Sequence, residues 1–122
     1  MTRPVLTPTA EHPITVTPTA GRVVVRSGET VIADTTRALT LAESTYPTVQ
    51  YVPLADVDQA LLRPSSTESY CPFKGDAGYY DVVTPSGEIA DAIWFYGQPH
   101  DAVAEIAGHV AFYPDRVTIE LS

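Results

Sequence analysis

The chain has one cysteine and three histidines in 122 residues. A single thiol cannot close an internal disulfide, and Cys71 with the scattered His12, His100 and His109 cannot supply the four paired ligands of a structural zinc site. No metal site is expected. Positive charge is also scarce: seven basic residues stand against fifteen acidic ones, a formal net charge of −8. That balance opposes attraction to duplex nucleic acid and to an anionic membrane surface, so neither is expected as a partner. Long hydrophobic runs are missing as well, since no stretch approaches the roughly 20 apolar residues of a membrane-spanning helix. Met1-Thr2-Arg3-Pro4 begins no charged-then-apolar secretory leader. The expected address is the cytoplasm, with which a lone cysteine agrees.

What is present suits a globular domain, with 44% hydrophobic and 18% charged residues in a chain near the commonest domain size. Residues 1–11 are rich in Thr and Pro and read as an extended arm; residues 12–122 read as a single β-rich domain. Thr-Pro-Thr-Ala occurs at 7–10 and again at 17–20, too little for a structural repeat. Ile14-Thr15-Val16 is a candidate edge strand.

The β-branched run Val23-Val24-Val25, Ser27-Gly28-Glu29, and Thr30 to Asp34 predict a hairpin. Arg37 to Glu43 and Val49 to Pro53 predict two further strands, with a turn at Ala55 to Gln59. Tyr79 to Thr84 and Ile89 to Tyr96 flank Pro85-Ser86-Gly87-Glu88 as a second hairpin, with Ala90, Ala92, Trp94 and Tyr96 on one face. Asp101 to Ala107 places Val103, Ile106 and Ala107 at helical spacing, predicting one short amphipathic helix ended by Gly108. Val110-Ala111-Phe112, the Pro114-Asp115 turn and the alternating Val117 to Leu121 predict a closing hairpin. About eight or nine short strands with one helix make a mainly β chain, expected as a rolled antiparallel sheet or small open β-barrel.

Tyr70-Cys71-Pro72-Phe73-Lys74-Gly75 holds the only cysteine and the only lysine, three residues apart. With Val31 to Leu39, Tyr51-Val52-Pro53, Tyr79-Tyr80, Trp94 to Tyr96, and Gly108 with Ala111 to Asp115, this stretch resembles the family catalogued as domain of unknown function four hundred and twenty-seven. Some catalogues label that family nucleotidyltransferase-like. The resemblance runs from about His12 to the C-terminus and implies a small β-rich domain. The label implies nucleotide chemistry, which usually needs two or three carboxylates holding Mg²⁺. Asp56-Val57-Asp58 is the one Asp-x-Asp, without the Gly-Ser loop that nucleotidyltransferases place before it.

Lys74 is the strongest site signal. An ammonium beside turn N–H groups suits a phosphate or carboxylate, and the surrounding pattern is no P-loop. The bland alternative is a loop lysine in a salt bridge to Asp34, Glu43 or Asp76. Cys71 can serve as nucleophile only if a cation or base activates its thiol; a lone cysteine is more often a small buried hydrophobe. The expected site is a pocket around Tyr70–Gly75 for a small anionic molecule, nucleotide or phosphate-bearing if the label holds. There Lys74 and Arg37 take the anion, and Tyr51, Trp94 and Tyr96, joined by Tyr70 and Tyr80, hold the flatter part. If it is catalytic, Glu43 or Asp34 is the general base and Lys74 and Cys71 assist. Mg²⁺ enters only with the nucleotidyltransferase reading. The rival reading is an interaction module that binds a partner protein or a second copy of itself.

Overall fold

The computed structural model describes residues 4–122; the first three residues of the arm lie outside the described residues. Eleven strands are present among them: β1 (Ile14–Pro18), β2 (Val23–Ser27), β3 (Thr30–Thr35), β4 (Leu39–Glu43), β5 (Val49–Pro53), β6 (Leu62–Pro64), β7 (Ser69–Cys71), β8 (Gly75–Thr84), β9 (Gly87–Tyr96), β10 (His109–Phe112) and β11 (Thr118–Leu121). Eight of them form an antiparallel sheet in the order β1-β4-β5-β10-β9-β8-β6, with β7 also paired to β8. This sheet curls into a half-barrel. A second sheet has the order β11-β2-β3. Among the described residues no helix is long and apolar enough to cross a membrane.

Strand alternation sends neighbouring side chains to opposite faces, and this divides the core in two. On one face of the large sheet Val52, Ile93, Val110 and Phe112 pack with Val23, Val25 and Ile32 of the small sheet. On the other, Tyr51, Tyr96 and Ala111 pack with Leu41, Val103 and Ile106. The segment carrying Val103 and Ile106 is a 3-10 turn, Asp101–Ile106, rather than the expected amphipathic helix. Val103 itself has non-helical angles (φ −128°, ψ 29°). Val103 and Ile106 are buried, while Ala107, the C-cap, lies outside the turn and is exposed.

Three other expectations need correction. The last hairpin does not form: β10 pairs with β5 and β9, and β11 pairs with β2 in the other sheet. The Pro114 turn, closed by Arg116 N–H and Val117 N–H donating to Tyr113 O at 3.0 and 3.2 Å, carries the chain between sheets. The strand total is eleven because β6 and β7, two three-residue pieces, add to the expected strands. The shared face of β9 breaks as well. The β8–β9 register shifts between Tyr80 and Val82, and Asp91 adopts φ +49°, so Ala90 is exposed and Ala92 packs in the first cluster, while Trp94 and Tyr96 face the second.

Candidate functional site

The Tyr70–Gly75 stretch is the tip of the β7–β8 hairpin. Cys71 pairs with Gly75, and Lys74 N–H donates to Cys71 O at 3.1 Å. Gly75 has φ +116°, and a Cβ there would lie 3.3 Å from the Gln98 carbonyl oxygen and 3.4 Å from the His100 ring. Only glycine suits both the angle and the close approach. The tight tip turns Lys74 inward, and its side chain is only 10% exposed.

Glu43, the last residue of β4, receives it. Lys74 Nζ donates to Glu43 Oε1. His12, just before β1, approaches from another side, with Nε2 2.8 Å from Glu43 Oε2. The His12 ring stacks on Phe73 at 4.3 Å and 9°, which ties the start of β1 to the hairpin tip. Burial alone pushes the Glu43 carboxyl up, but hydrogen bonds and charge from Lys74 and His12 more than offset this and hold its pKa below the ordinary value. Lys74 Nζ also lies 3.9 Å from Cys71 Sγ. An ammonium has three N–H donors, so among the described residues one remains beyond these contacts.

Beside this ion pair opens a cleft of about 290 Å³, walled by Tyr46, Tyr51, Tyr79, Trp94, Tyr96 and Tyr113 together with Leu41, Pro47, Val49, Glu43 and Lys74. Tyr51 and Trp94 meet edge to face with ring centres 6.5 Å apart, and Trp94 and Tyr113 are 4.4 Å apart. Three of the phenols have raised pKa values. Burial raises Tyr51 to about 12 despite the Trp94 indole, burial and a hydrogen bond with Tyr79 raise Tyr113 to about 12, and burial also raises Tyr96. At neutral pH the cleft therefore offers neutral hydroxyls, aromatic faces and one buried ion pair.

Of the residues singled out from sequence, Lys74, Glu43, Tyr51, Trp94 and Tyr96 come together on this cleft. Cys71 packs behind the wall, partly buried against the second core cluster, and is absent from the lining. Tyr70 donates its hydroxyl to Pro4 O at 2.6 Å, and Tyr80 stacks on Phe95 on the opposite face of the sheet. Arg37 makes a fork with Asp56, Nη2 to Oδ1 at 3.0 Å, and Asp34 is paired with Arg22 on the small sheet; neither lines the cleft. His12, Tyr46, Tyr79 and Tyr113 belong to the site without having been singled out for it. Nothing local marks His12, since it and Lys74 each lie 31 residues from Glu43 in the chain.

The carboxylates do not suit a Mg²⁺ centre. Asp56 holds Arg37 and Thr35, Asp58 caps the Gln59–Leu61 turn by accepting from Ala60 N–H, and Glu43 is engaged by Lys74 and His12. Among the described residues no three His, Cys, Asp or Glu side chains form a group that could hold a metal ion.

A β half-barrel with an aromatic-walled cleft around a buried lysine–glutamate pair is the class of domain these features define. The chain belongs to the family described as a domain of unknown function (DUF427), whose profile matches residues 15–122. The family's short label refers to NTP transferases. None of the curated proteins compared with the chain matches it.

Proposed function

We propose that this protein binds a small, partly flat molecule carrying a single anionic group, with Lys74 meeting the anion and the Tyr51, Trp94 and Tyr96 wall holding the rest. The observation that carries the reading is the buried Lys74 ammonium, which lines a concave aromatic cleft and keeps one N–H donor beyond Glu43 and Cys71. One ammonium, half offset by Glu43, suits a carboxylate or phosphate monoester better than a triphosphate, whose several charges need several cations or a metal. Nucleotidyl transfer is the less favoured form of the reading. Its carboxylates are spoken for by Arg22, Arg37, Lys74 and His12, and Cys71 does not line the cleft as a nucleophile would. The same reading takes the protein as cytoplasmic, on the strength of its single free thiol.

The test is a thermal-shift panel of carboxylates, sugar phosphates and nucleotides, with and without Mg²⁺, on wild type beside Lys74→Ala. A ligand that binds only the folded state raises the melting temperature. The expected outcome is a metal-independent rise with a carboxylate or a sugar phosphate, lost in Lys74→Ala. A Mg²⁺-dependent rise confined to nucleoside triphosphates would replace this reading with nucleotidyl transfer, and silence across the panel would remove it.

A further inference from the structure

This inference rests on the cleft reading above and extends it to the rest of the ligand. The cleft shares part of its aromatic wall with a neighbouring depression. Tyr46, Pro47, Val49 and Trp94 line the cleft and also a second depression of about 460 Å³. The far side of that groove is Phe112, Pro114, Ile119 and Leu121, and no charged residue lines it. Two large apolar side chains meet water there, Tyr46 at 62% and Leu121 at 56% exposure. The groove lies where the sheets come together, with Val49 on β5, Trp94 on β9 and Phe112 on β10 facing Ile119 and Leu121 on β11. From cleft to groove the lining thus passes from an ion pair through phenols and an indole to a mainly apolar surface, in which Thr48 and Gln50 are the polar residues.

We propose that cleft and groove form one elongated site for an amphipathic monoanion, a carboxylate whose head meets Lys74 and whose apolar tail crosses Trp94 into the groove. The single remaining N–H donor of Lys74 sets one head group. The uncharged groove gives each methylene of a tail a place out of water, and Trp94, common to both depressions, is the saddle between them. A second copy of the chain is the less fitting occupant, because two molecules of net charge −8 repel on approach.

Trp94 is the only tryptophan, so its fluorescence reports occupancy directly. Straight-chain carboxylates of about four to ten carbons are titrated into the protein, and affinity is expected to rise about fourfold for each added methylene. Alcohols of the same lengths test the head group without a mutation and should bind more weakly at every length. Leu121→Gln, on an exposed side chain, should lower the chain-length slope, whereas Val83→Gln, exposed on β8 away from the groove, should leave it intact. Short carboxylates that bind with no dependence on length would overturn the groove and leave the cleft reading standing. No response to any carboxylate would overturn both. A slope untouched by Leu121→Gln, or a dimer in sedimentation that Leu121→Gln breaks while the slope is flat, would also overturn the proposal.

Discussion

At the scale of single residues, the Lys74–Glu43 pair carries the most chemistry and the most risk. Both side chains are largely buried, 10% and 15% exposed, so removing one partner leaves a poorly solvated charge behind. Lys74→Met is expected to cost roughly 3 kcal/mol in urea unfolding. The double change Lys74→Met, Glu43→Leu should cost less than the sum of the two single changes, because no unpaired charge is then left in the cleft. An additive result would mean that the two side chains do not interact. The pair also gives stability a dependence on acid. The Glu43 pKa is lowered in the folded protein from the ordinary 4.5, so in the window between its folded pKa and 4.5 the unfolded chain binds more protons. Its contribution is therefore complete above about pH 4.5 and is lost as pH falls through the folded pKa. The drop in melting temperature between neutral pH and about pH 3 should be smaller in Glu43→Gln than in wild type; equal drops would show that Glu43 has no part in it.

At the scale of elements, the β7–β8 hairpin sets where the lysine points. Its tip needs Gly75 for a left-handed angle and for room beside Gln98 and His100. Gly75→Ala should destabilise by about 1–3 kcal/mol, measured by denaturant unfolding. Gly97→Ala, where an added Cβ meets nothing within 4 Å, serves as the near-neutral control, and similar losses at both positions would refute the account. The bulge at Asp91 acts in the same way on β9. Ser65 and Thr67 hydroxyls donate to its carboxylate at 2.5 and 2.7 Å, and its own N–H donates to Asp81 at 2.8 Å. These bonds hold a non-glycine residue at positive φ and so fix the register that turns Trp94 and Tyr96 toward the cleft.

At the scale of the whole molecule, the large sheet is the shared wall of both hydrophobic clusters, and β10 lies in its middle between β5 and β9. Its residues Val110, Ala111 and Phe112 are buried against one cluster or the other. Amides of β10 are therefore expected to exchange with solvent only through global unfolding. Those of β1, an edge strand with alternate residues exposed, should exchange earlier, as read by native-state hydrogen exchange. Equal protection of β1 and β10 would contradict this ordering. At the cleft the β7–β8 tip is joined to the paired strands β1 and β4 by His12, Glu43, Phe73 and Lys74 rather than by strand pairing. Ligand binding there should thus stabilise β1 as well as the hairpin.

The chain alone determined its β character, its main hairpins and the singularity of Lys74. Period-two alternation, Gly and Pro turns and the rarity of a residue type are local properties, written in neighbouring positions. From the same kind of reading Tyr51, Trp94 and Tyr96 emerge as a pocket wall, since each is expected near the end of a strand beside Pro or Gly, although Tyr51 is the middle residue of β5. Only the tertiary structure decided which charge meets Lys74. Asp34, Glu43 and Asp76 were equal candidates, and the curl of the half-barrel brings β4, four places from β8 in the sheet order, over the hairpin tip. The same curl brings His12 to Glu43, leaves Arg37 with Asp56, and sends β11 to the other sheet. Each of these depends on strand order and sheet curvature. Those arise from packing two hydrophobic clusters on opposite faces of one sheet, and no short window of residues contains them.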